Sequence, residues 1–108
     1  MTMTSVIVNS GGCGFTVTIT AEKDKEKKIA ISLATDCKMV QKMLADIAIV
    51  DHRVPLIGFR DNPVYLSAAK HLKHTACPVP SAILKAIEVE AGLNVSKDAT
   101  IVFIKKEK

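Results

Sequence analysis

The chain has 108 residues, 48% hydrophobic and 24% charged, an ordinary globular composition for one domain with a core of its own. Its net charge of +4 comes from 15 basic and 11 acidic side chains. They interleave instead of forming a basic stripe, and one tyrosine and three phenylalanines leave few rings to stack on bases, so a nucleic-acid interface is not expected.

No apolar run approaches the roughly 18 residues of a membrane span. Met1–Ser10 lacks the basic-then-apolar pattern of a secretory signal, and three cysteines, an odd number, suit a reducing compartment better than a disulfide framework. A cytoplasmic protein without a membrane partner is expected.

Ser5–Val8 is a short β-rich run that breaks at Asn9-Ser-Gly-Gly12, a turn signal. From Phe15 to Ala21 apolar residues alternate with Thr16, Thr18 and Thr20, the pattern of a half-buried strand. Ile29, Ile31 and Leu33 alternate with Ala30, Ser32 and Ala34, so a hairpin is predicted across Asp24–Glu26. A first helix is predicted over Asp36–Ile49, capped from Thr35-Asp36 and burying Val40, Met43, Leu44 and Ile47. Asp51–Asp61 reads as a loop. A second helix starts at Asn62-Pro63 and buries Tyr65, Ala69 and Leu72. The third buries Val79, Ile83, Ala86, Ile87 and Ala91 and stops at Gly92. Ala99–Ile104 is a continuous apolar run, read as a final strand covered on both sides. The expected fold is α+β in two layers: a four-stranded mixed or antiparallel sheet with three helices on one face, in the order βββαααβ.

The hairpin register bears on chemistry. Setting Ile19 opposite Ile31 and Val17 opposite Leu33 brings the apolar faces together. Extended past Phe15 and Thr35, the same pairing sets Cys13 opposite Cys37 at one end of the hairpin. The third cysteine stands in His71-Leu-Lys-His74-Thr-Ala-Cys77-Pro-Val-Pro80. Pro78 suits the first helical position, which leaves Cys77 at the N-cap. Unpaired backbone N–H groups and the positive end of the helix dipole would there favour its thiolate.

These residues support three readings. Cys13, Cys37 and Cys77, with His74 as a fourth donor, make a Cys₃His set for zinc, and three cysteines alone could hold an iron–sulfur cluster with one open iron. Alternatively Cys77 is a persulfide-bearing or redox nucleophile with Cys37 or Cys13 as the resolving thiol. The third reading is an interaction domain whose cysteines only pack. His71, Lys73 and His74 can also simply complement the C-terminus of the second helix. An unidentified protein partner is expected, and whether the chain is an enzyme is left open.

Two resemblances bear on the choice. Cys77-Pro78-Val79-Pro80, with Lys85 downstream, resembles the Cys-Pro-x-Pro motif of TusA-like sulfur carriers, which implies a persulfide on Cys77 that is passed to a partner. Across nearly the whole chain, Cys13-Gly-Phe15, Asp36-Cys37 and His74-Thr-Ala-Cys-Pro-Val-Pro80 with Lys85-Ala-Ile-Glu88 resemble an uncharacterised family of small proteins from anaerobic bacteria and archaea. That likeness implies a compact domain containing cysteines. An anaerobic setting would suit exposed thiolates or an oxygen-sensitive cluster.

Overall fold

A computed structural model of the chain describes residues 2–107. Strands β1 (Met3–Asn9), β2 (Thr16–Lys23) and β3 (Lys28–Ala34) lead into helix α1 (Lys38–Ile47). A short β4 (Ile49–Asp51) and helices α2 (Pro63–His71) and α3 (Val79–Glu90) follow. The four strands form one antiparallel sheet in sequential order. Alternation puts Val8, Val17, Ile19, Ala21, Ile29 and Ile31 on the buried face, under the helices, and the threonines on the other. The α+β class, the four strands and the three helices agree with the sequence pattern.

The fourth strand is a different segment from the one predicted. β4 lies between α1 and α2, so Ile49-Val-Asp51 completes the sheet against β3. Ala99–Ile104 has no regular structure and Phe103 is 97% exposed. A three-residue strand at the end of a helical run is too short to carry a periodicity of its own. α1 is accordingly shorter than Asp36–Ile49, ending at Ile47.

The hairpin register also differs. Ile19 faces Leu33 and Ala21 faces Ile31, two residues along from the expected pairing. A two-residue step keeps every side chain on its face, so the hydrophobic pattern alone does not choose between the two registers. The turn does. The Asp24 carboxylate accepts from the N–H groups of Glu26 (2.8 Å) and Lys28 (3.0 Å), while Asp24 N–H donates to the Lys28 carbonyl (2.9 Å). This tight turn places Lys27 in the left-handed region at φ 65° and lets Lys23 pair with Ile29.

On α2 the buried residues are Val64, Ser67 and Ala68, one position earlier than the predicted Tyr65, Ala69 and Leu72 stripe. Asn62 sets that rotation. Its buried side chain accepts from Val64 N–H and donates to the carbonyls of Val54 and Ile57, each at 2.9 Å. On α3 the predicted Val79, Ile83, Ala86 and Ile87 are all fully buried against β1 and β2.

α3 ends on a buried carboxylate. Glu90, 5% exposed, accepts from Thr2 Oγ1 (2.7 Å), Thr4 Oγ1 (2.8 Å) and Lys23 N–H (2.9 Å). Burial works against the charged form, yet the three hydrogen bonds and the Lys23 charge together hold its pKa below the usual glutamate value. The C-terminus of α3 is thereby tied to the start of β1 and the end of β2.

Two stability measurements test this account. Lys27→Gly removes left-handed strain and should raise the denaturation free energy by roughly 0.5–1 kcal/mol. Glu90→Gln puts an amide among hydrogen-bond donors and should cost about 1–3 kcal/mol at neutral pH. Because the folded pKa is depressed, the carboxylate's contribution is complete above the unfolded value and lost as pH falls through the folded one. Denaturation curves of wild type and Glu90→Gln should therefore converge in acid.

Candidate functional site

The chain direction of each element sets where the three cysteines meet. β1 runs away from the Glu90 anchor and ends at Asn9, β2 starts beside that end at Thr16, and β3 finishes next to it at Ala34. α3 is fixed at its C-terminus beside the start of β1, so its N-terminus lies at the opposite end of the sheet. Twelve helical residues span about 18 Å and a seven-residue strand about 23 Å, so helix and strand match in length. Cys13 in the β1–β2 connection, Cys37 after β3 and Cys77 before α3 therefore share one end of the molecule.

Cys13 closes a single 3₁₀ turn, Gly11–Cys13. Asn9 Oδ1 accepts from Gly11 N–H (3.1 Å), Gly14 N–H donates to the Gly11 carbonyl (2.9 Å), and Ser10 N–H donates to the Phe15 carbonyl (3.0 Å). Gly11 (φ 75°) and Gly14 (φ 78°) supply the left-handed positions the turn requires. The cysteine itself is exposed.

Cys37 is buried at the N-cap of α1. Its N–H donates to Thr35 Oγ1 (3.1 Å) and its carbonyl accepts from Gln41 N–H (3.1 Å). Thr35, not Asp36, orders this helix start, and its signal in the sequence is a hydroxyl two residues before the cysteine. The observed register sets Cys37 in line with Phe15, so Cys13 and Cys37 are not cross-strand partners; they share an end of the sheet, not a rung of it.

Cys77 is half-buried, with its N–H on the His74 carbonyl (3.1 Å). Pro78 is the N-cap and Val79 the first helical residue, so the cysteine stands one position before the N-cap and not, as expected, at it. The Val79 backbone N–H at the start of α3 still acts to lower its pKa. The expected stabilisation of the thiolate is nevertheless outweighed. Burial pushes the Cys77 thiol above the usual cysteine range, and negative charge on Cys13 and Cys37 pushes it the same way. All three cysteines are free thiols.

The histidines divide. His71 is drawn to Asp46, with Nε2 3.0 Å from a carboxylate that also accepts from Ser67 Oγ (2.8 Å) and pairs with Lys70. The Ser67 hydrogen bond is the largest cause of the lowered Asp46 pKa. This cluster joins α2 to α1 and takes no part in the cysteine end. His74 is exposed on the turn that leads to Cys77. Among the described residues no three histidine, cysteine or carboxylate side chains already stand at metal-ligating spacing. No helix among them is long and apolar enough to cross a membrane.

A family model described as "Family of unknown function (DUF6951)" matches residues 4–103. The chain belongs to that family. No match was found among curated proteins or among solved structures. The matched span of this DUF6951 chain contains all three cysteines and His74.

Alkylation rates of this DUF6951 protein under reduction give a direct check. Cys13 should react first, Cys77 more slowly with a pH midpoint above that of a free cysteine, and Cys37 last. Replacing Cys13 and Cys37 together by Ser should lower the Cys77 midpoint. An unchanged midpoint would place the other two thiols outside its electrostatic reach.

Proposed function

We propose that Cys13, Cys37 and Cys77 act together as thiolate ligands of a metal ion or iron–sulfur cluster, with zinc or iron as the suited metals and His74 as the fourth donor of a zinc site. The observation that carries this reading is three free thiols at one end of the fold, where burial first and then negative charge on Cys13 and Cys37 raise the pKa of Cys77. A nucleophilic cysteine is activated by a lowered pKa, whereas burial raises that of Cys77 and no basic side chain contributes to offset it. A bound cation would relieve the mutual repulsion and hold all three sulfurs deprotonated. Soft thiolate donors match zinc and iron–sulfur clusters.

Binding requires the sulfurs to draw closer. The exposed Cys13 turn, flanked by Gly11, Gly12 and Gly14, is the part able to move, because Cys37 is held in the core and Cys77 is packed against it just before α3. His74 sits three residues before Cys77 on the same turn, within chain reach of a metal bound there.

A second reading keeps Cys77 as a sulfur carrier or redox thiol. Its support is the Val79 backbone N–H at the start of α3, which acts to lower the Cys77 pKa. In that case a cysteine thiolate attacks the outer sulfur of a Cys77 persulfide. The persulfide S–S bond breaks, Cys77 leaves as thiolate, and the sulfur moves to the attacking residue. Exposed Cys13 suits that attack better than buried Cys37.

Metal and sulfide analysis with an absorption spectrum, on protein purified without oxygen, separates the two. Near-stoichiometric zinc or iron, lost in each single Cys→Ser variant, is expected. Metal-free protein whose Cys77 carries one extra sulfur atom by mass would favour the carrier and overturn the metal reading.

A further inference from the structure

We propose that two copies of the chain exchange their C-terminal segments, Ala99–Ile104 of each adding as a strand to the free edge of β1 in the other. The segment carries the composition of a strand with none of its pairing. Ile101, Val102, Phe103 and Ile104 are 87%, 76%, 97% and 78% exposed, and no backbone hydrogen bond is made beyond Lys97 among the described residues. The family match runs to residue 103, so this apolar run belongs to the family's domain and is no appendage to it.

Its stem is fixed. Gly92 N–H bonds Val89 O and Leu93 N–H bonds Glu88 O, which turns the chain at the end of α3. Asn94 Nδ2 then donates to Glu88 Oε1 (3.2 Å), and Asp98 and Ala99 border the same shallow cleft as Lys85 and Glu88. The apolar run thus leaves from the helical layer, and the molecule measures 55 Å along its longest axis against 28 and 26 Å.

Of the two sheet edges, only β1 can accept a strand of this length. β4 has three residues and ends in Asp51, which binds Arg53 and Lys28, a charged edge of the kind that resists strand addition. β1 has seven residues with no charge and no proline. It offers apolar side chains on both faces: Val6 and Val8 inward, Met3 and Ile7 (64% and 74% exposed) outward. A strand apolar on both sides finds cover on both, which accounts for the unbroken run in the sequence. Six added residues extend about 20 Å, the working length of β1.

A second copy fits better than the same copy because the stem is held against α3 while the run beyond it stands exposed and unpaired in a molecule 55 Å long, leaving its own β1 edge unfilled. Exchange is reciprocal and closes as a two-fold dimer. Two added strands bury on the order of 1,500 Å² in total, within the range of stable interfaces.

The test is sedimentation equilibrium of the full chain under reducing conditions, beside Val102→Pro and a chain ending at Asp98, with hydrogen exchange read at β1. The exposed run contributes nothing to the core, so both variants should keep the fold. The expected result is a dimer for the full chain, monomers for both variants, and β1 amides at least tenfold slower in the dimer. A full-length monomer overturns the proposal, whether β1 is unprotected or covered by its own tail. A dimer that survives both variants overturns it as well.

Discussion

The Glu90 carboxylate is the interaction on which the placement of the cysteines depends. Three donors, Thr2 just before β1, Thr4 on β1 and Lys23 at the end of β2, converge on it at the last turn of α3, and a helix pinned at one end has its direction decided. The apolar stripe Val79, Ile83, Ala86 and Ile87 then fixes its rotation. Direction and rotation together bring the start of α3 to the end of the sheet where β1 finishes and β3 leaves for α1. Hydrophobic burial alone would accept the helix in either sense, because it is non-directional; the buried acid is not.

The electrostatics of the cysteine end follow from that placement. A helix start favours a thiolate, but burial and the charges of two other thiolates act in the opposite sense, and at Cys77 they prevail. Elsewhere the fold settles its charges with ordinary partners: Asp46 with Ser67, Lys70 and His71, and Asp51 with Arg53, which holds it well below the usual carboxylate range. At the cysteine end no fixed cation contributes to the Cys77 shift. A bound metal would supply that charge, and the glycine-flanked Cys13 turn gives the site the freedom to close.

Much of this was legible in the chain because the relevant patterns are periodic. Alternation at Phe15–Ala21 and Ile29–Leu33 marked the hairpin and its buried face, and the spacing on α3 named Val79, Ile83, Ala86 and Ile87 as core, while Ala91, the C-cap, is only partly buried. What the pattern missed was set by single polar side chains. Asp24 chose a register two residues from the expected one, a step to which facial alternation is blind. Asn62 turned α2 by one position, and the N-cap of α1 fell on Cys37, its N–H held by Thr35 Oγ1, where Thr35-Asp36 was the expected cap. Glu90 carried no signal, since an isolated acid near a helix end usually faces water. Ala99–Ile104 had the right composition for a strand, but it pairs with no strand of the sheet.

The most direct test of the central claim is titration of reduced, metal-free protein with cobalt(II), following thiolate-to-cobalt charge-transfer absorption and counting protected thiols. The account predicts saturation at one metal-binding equivalent, with Cys13, Cys37 and Cys77 all shielded from alkylation and the band weakened in each single Cys→Ser variant. Saturating cobalt that produces no charge-transfer band and leaves all three thiols reactive would contradict it.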